Sequence, residues 1–137
     1  MSIEFKGMEE CLDTLENMID EEKVKQALTK ACLIVERSAK QKAPKGNGDL
    51  RRSITHKVED LVGEVYTPLE YAPYVEYGTG LFAENGGRTD VPWSYKDEEG
   101  NWHTTSGMQP QPYMRPALDE NTEEIKRILR EAIYSND

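Results

Sequence analysis

The chain has 137 residues and carries 26 acidic side chains against 17 basic ones, a formal charge of −9 at neutral pH. That balance argues against a dedicated duplex-DNA binder, whose affinity rests on Lys and Arg at phosphates, and against charge-driven adhesion to an anionic membrane. The apolar share of 36% is low beside the about 45–50% of ordinary domains. It predicts a single domain over residues 1–137 with a modest core, one that gains stability by burying surface against copies of itself.

Residues 2–6 alternate as a short first strand that stops at Gly7. Met8, Cys11, Leu12, Leu15, Met18 and Ile19 then recur at spacings of three and four, an amphipathic helix. Asp20 is placed to cap a second helix with the stripe Val24, Ala27, Leu28, Ala31, Val35, Ser38 and Ala39. Glu21 and Glu22 at its start and Lys40 and Lys42 at its end suit the helix dipole. Pro44 disfavours helical geometry at Ala43 and should end the helix there. Gly46 and Gly48 would then let the chain reverse into a strand, with Leu50 and Ile54 anchoring that strand to the core.

Ile54–Val58 and Val62–Thr67 read as a hairpin turned by Glu59, Asp60 and Leu61. Tyr71–Tyr77, closed by Gly78, reads as a short helical turn, with a strand as the alternative. Trp93–Tyr95 and Trp102–Thr104 are predicted to form a protruding hairpin within a variable insertion at 79–112. A final helix from about Pro116 carries the stripe Leu118, Ile125, Ile128, Leu129, Ala132 and Ile133. The expected fold class is therefore α+β: a small antiparallel sheet packed against a long helix in the N-terminal half and a C-terminal helix.

Catalytic signals are lacking. His56 and His103 fall in different elements and share no metal-ligand spacing with Cys11 or Cys32. The two cysteines lie in helical apolar patterns and read as small buried hydrophobes. No serine sits in a nucleophile elbow and no glycine run cradles a phosphate. Asp97-Glu98-Glu99 reads as a solvated turn, or as a site for a bound cation. No run of apolar residues approaches the ~18 needed to span a bilayer, and Met1–Gly7 lacks the apolar core of a secretory signal. The chain is expected in the cytoplasm, without membrane, metal or cofactor, and not as an enzyme.

Three segments stand out, in a telling order. The first runs from Ala43-Pro44 through Gly48-Asp49-Leu50-Arg51-Arg52-Ser53-Ile54. The second is Tyr71-Ala72-Pro73-Tyr74-Val75-Glu76-Tyr77-Gly78-Thr79, and the third is Gln111-Pro112-Tyr113-Met114-Arg115-Pro116-Ala117-Leu118. Together they resemble the tail-component or neck protein family of long-tailed bacteriophages and prophages, over roughly residues 20–135. In that family a helix ends in Ala-Pro and a glycine precedes Leu-Arg-x-Ser-Ile. A Tyr-Ala-x-x-Val-Glu-Tyr-Gly-Thr block follows, and Pro-Phe-Met-Arg-Pro-Ala opens a last helix. Two departures are Lys45-Gly46-Asn47-Gly48-Asp49 in place of a short acidic or Thr-Gly turn, and Tyr113 in place of Phe.

The resemblance implies a structural virion protein at the head–tail junction, made in the bacterial host cytoplasm and carried in the neck or tail. It implies self-association into a ring, docking to portal, connector and tail proteins, and no cofactor or catalysis. Lys40, Lys42, Lys45, Arg51 and Arg52 against Asp49 make the first segment locally basic. That segment is either a solvated loop or a patch meeting an acidic neighbour or DNA in the ring's lumen. Tyr71, Tyr74 and Tyr77 form either a core stripe or a subunit interface. Interface candidates are thus Lys45, Leu50, Arg51, Arg52, Tyr71, Tyr74, Tyr77 and Arg115, the last a candidate partner for Glu76. A rival from another class is a small monomeric ligand-binding module or hydrolase using the Trp93/Trp102 loop.

Overall fold

Asp20 starts the longest element of the chain. Its side chain accepts a hydrogen bond from the Glu22 amide at 3.0 Å, satisfying one of the orphan donors of helix α1, Glu21–Lys42. In this computed structural model, which describes residues 1–5, 20–46, 48–84 and 90–134, α1 runs 22 residues, about 33 Å. It ends where predicted, with Ala43 forced into extended geometry ahead of Pro44. Val24, Ala27, Leu28, Ala31, Cys32, Val35 and Ala39 are all buried, so Cys32 is packed as a small hydrophobe. The predicted helix of Met8–Ile19 lies outside the described residues.

The chain divides into two compact units, residues 1–68 with 113–137, and residues 69–112. In the first, β1 (Ser2–Phe5), β2 (Thr55–Glu59) and β3 (Val62–Tyr66) form an antiparallel sheet in the order β1-β3-β2. Register places Ile3, His56 and Val58 beside Val65 and Gly63 on one face, and Glu4, Lys57 and Glu64 on the other. The first face lies against α1, where His56 Nδ1 meets Glu36 Oε1 at 3.3 Å. The outer face is charged, with Lys57 Nζ 3.5 Å from Glu64 Oε2. The β2–β3 turn places both Asp60 (φ 50) and Leu61 (φ 62) in the left-handed region, the geometry that matches strand twist in a two-residue hairpin. A leucine there costs about 1 kcal/mol. Leu61 offsets that cost by packing, with Val58, on the Val24–Leu28 core.

Two elements of this unit differ from the sequence expectation. A five-residue helix, α2 (Asp49–Ser53), stands where the first segment was expected to pass directly into a strand. Gly48 (φ 84) begins it and the Arg52–Asp49 ion pair at 2.5 Å spans one turn, so the reversal takes two steps. Ser53 Oγ donates to the Leu50 carbonyl and shares a 2.6 Å hydrogen bond with buried Thr67, tying the end of α2 to the end of β3. The C-terminal helix is likewise two helices, α4 (Met114–Asp119) and α5 (Thr122–Tyr134). Asn121 Nδ2 and Thr122 Oγ1 donate to the Ala117 and Leu118 carbonyls at 2.7 and 2.8 Å. These side chains compete for the carbonyls that a continuous helix would use. On α5, Leu129 and Ile133 pack on Val24 and Leu28.

The second unit is built from short pieces. Helix α3 (Ala72–Tyr77) is closed by Gly78 at φ 83, which settles the choice between helix and strand. A 3-10 turn at Gly80–Phe82 follows. Thr79 and Leu81 donate backbone hydrogen bonds to Met108 and Ser106, each 3.0 Å, and Gln111 donates to Val75 at 2.8 Å. The predicted hairpin forms as β4 (Trp93–Lys96) and β5 (Trp102–Thr105).

Candidate interface surfaces

Two of the five cations of the predicted basic segment are ion-paired. Lys42 pairs with Glu120 at 2.6 Å and Arg52 with Asp49. Arg51 is half-buried, and its Nε is buried with no hydrogen-bond partner. Lys45 is exposed. Leu50, at 5% exposure, works inside the core. Arg115 is half-buried at the start of α4. Of the interface candidates in this unit, Lys45 and Arg52 are the two whose side chains are available at the surface.

The tyrosines of α3 are less buried than a core stripe requires. Tyr71 is 44% and Tyr74 60% exposed, while Tyr77 is half-buried. Leu81, Phe82 and Met108 are exposed as well, on either side of the seam of backbone hydrogen bonds between 79–82 and 106–108. Close approach at that seam needs glycine: Gly80 (φ +62) and Gly107 (φ +122) leave no room for a Cβ.

The β4–β5 hairpin presents both of its faces to solvent. Ser94, Tyr95, Lys96, Trp102, His103 and Thr104 are all exposed, Trp102 at 70%. Tyr95 stacks on His103 with ring centroids 5.3 Å apart. His103 Nε2 lies 2.6 Å from Asp97 Oδ2, while Asp97 Oδ1 accepts from the Glu99 and Asn101 amides. The histidine hydrogen bond and then the Asn101 amide hold the Asp97 carboxyl below its ordinary value of 3.8. Glu98 and Glu99 are exposed at the tip.

A surface that the periodicity argument did not find lies in the first unit. A groove of about 590 Å³ runs between α1 and α5. Leu33 and Ile34 from α1 and Ile128 and Ala132 from α5 contribute its apolar lining. Lys23, Lys30 and Arg37 line its α1 side, and none of the three has a carboxylate within ion-pair distance among the described residues. Arg127, on the α5 side, is held between Glu124 (3.8 Å) and Glu131 (3.2 Å). The available signal was a second apolar patch on α1, Leu33-Ile34, off the main stripe. Neither tryptophan lines this groove.

Among the described residues no group of three or more His, Cys, Asp or Glu is placed to hold a metal, and no helix is long and apolar enough to cross a membrane. The surfaces that stand out are contact surfaces: exposed aromatics, an acidic-tipped hairpin and a basic-rimmed groove. Residues 6–78, a little over half of the chain, match a protein-family model described as "Bacteriophage HK97-gp10, putative tail-component". That span contains the first segment and nearly all of the second; the third, Gln111–Leu118, lies outside it. No curated protein and no solved structure matches the chain.

Proposed function

This chain belongs to the HK97-gp10-like family of phage tail components, and from that premise we propose that it acts at the head–tail junction as a neck or tail-completion protein. It self-associates, as a ring, and docks to portal, connector and tail proteins of the assembling particle. It is made in the host cytoplasm, acts as one functional domain over 1–137, and carries out no catalysis. The observation that carries this reading is where the exposed apolar side chains sit. Seven of the nine large apolar or aromatic side chains exposed among the described residues, from Tyr71 to Met108, belong to the 69–112 unit. Exposed Tyr and Trp of this kind are the chemistry of interface hot spots.

Lys45 supplies positive charge for an acidic neighbour or for DNA in the lumen, and Arg52, paired with Asp49, is exposed for the same contact. The excess of acid elsewhere keeps passing DNA from adhering. The test is complementation of a phage lacking this gene, scored by electron microscopy. Loss of the chain should leave filled heads and tails unjoined, and Tyr74→Ala combined with Arg52→Glu should restore joining poorly. Joined, infectious particles formed without the chain would overturn the proposal.

A further inference from the structure

We propose that the β4–β5 hairpin of one copy seats in the α1–α5 groove of the next copy, an inference that rests on the self-association proposed above. A two-stranded hairpin is marginal alone in water, yet this one exposes both faces and a tryptophan at 70%. Its four-residue strands extend about 13 Å. The groove follows α1 from Lys23 to Arg37, about 21 Å of helix, so the arm fits along its length.

Charge selects the occupant. Glu98 and Glu99 at the hairpin tip have no ion-pair partner among the described residues, and neither do Lys23, Lys30 and Arg37 along the groove. The groove thus offers three unpaired cations, its Glu124 and Glu131 being held by Arg127, and the hairpin tip offers two unpaired carboxylates against the single cation Lys96. Trp102 supplies the apolar anchor for a floor that includes Ile34 and Ile128. Hairpin and groove are different surfaces of one sequence, so the contact is head-to-tail, the type that generates rings when the rotation closes.

The experiment reverses charge on each side, in particles assembled from the full chain. Lys30→Glu with Arg37→Glu, or Glu98→Lys with Glu99→Lys, should each lower incorporation about tenfold or more. The four changes together should restore it to within about threefold, a coupling that independent surface effects would not give. Lys30→Cys in one tagged copy and Glu98→Cys in a differently tagged copy should form a disulfide between copies. Circular dichroism of each variant checks that the helices persist. Indifference to the reversals, failure of the combined variant to recover, or crosslinks only within one chain or to another virion protein would overturn the arm-in-groove contact and leave the neck assignment standing. Absence of the wild-type chain from particles would instead remove the self-association reading, and this contact with it.

Discussion

Replacing Gly80 with alanine should cost far more than the same change at Gly46, although both glycines have positive φ. At Gly46 (φ +26) an added Cβ meets nothing within 4 Å, so the cost is conformational, about 1 kcal/mol. At Gly80 (φ +62) the added carbon would fall on the Ser106 carbonyl oxygen, deep inside the 3.0 Å limit of real Cβ contacts, and 2.8 Å from Gly107 Cα. Both obstacles are backbone and cannot swing aside. Relief requires the 79–82 and 106–108 segments to part, stretching the Leu81–Ser106 and Thr79–Met108 hydrogen bonds, each now 3.0 Å. Two bonds at about 1 kcal/mol each plus about 1–2 kcal/mol for the left-handed backbone give roughly 3–4 kcal/mol. Amide exchange at Thr79 and Leu81, with unfolding followed by the fluorescence of half-buried Trp93, measures the loss. If Gly80→Ala keeps those amides protected and costs no more than Gly46→Ala, the close approach of the two segments is wrong.

Burial pushes the Cys32 thiol from 9.0 to about 11, with the Glu36 carboxylate adding to the shift. Because the folded pKa is raised, its contribution is complete below pH 9 and is lost as pH rises toward 11, by about 3 kcal/mol. Denaturant midpoints at pH 8, 10 and 11 should fall more steeply for the wild type than for Cys32→Ala; parallel slopes would contradict this. Asp97 is the reverse case: its lowered pKa gives stability that is present above 3.8 and lost as pH falls through the folded value. An NMR titration should place the Asp97 midpoint below 3.8 and move it upward in His103→Ala. A wild-type midpoint at or above 3.8 would sink that account of the turn.

Local features of the chain were legible because their causes are local. Asp20, the apolar spacing from Val24 to Ala39, and Pro44 set both ends and the buried face of α1 within a residue or so, since capping, periodicity and proline geometry act over one or two turns. The hairpins at Thr55–Tyr66 and Trp93–Thr105, and α3 closed by Gly78, could be read for the same reason. The ordered segments, two of them within or nearly within the matched span, carried the family. Tertiary structure decided what depended on distant partners. Of the five cations near the first segment, Lys42 is paired by the fold with Glu120, from the far end of the chain. Three tyrosines at equal spacing could be core or surface, and only the packing around α3 left Tyr74 in solvent. The groove exists because Leu33-Ile34 and Ile128, nearly a hundred residues apart, are set side by side. Spacing encodes which residues share a face; what that face meets is fixed only when the rest of the chain has folded against it.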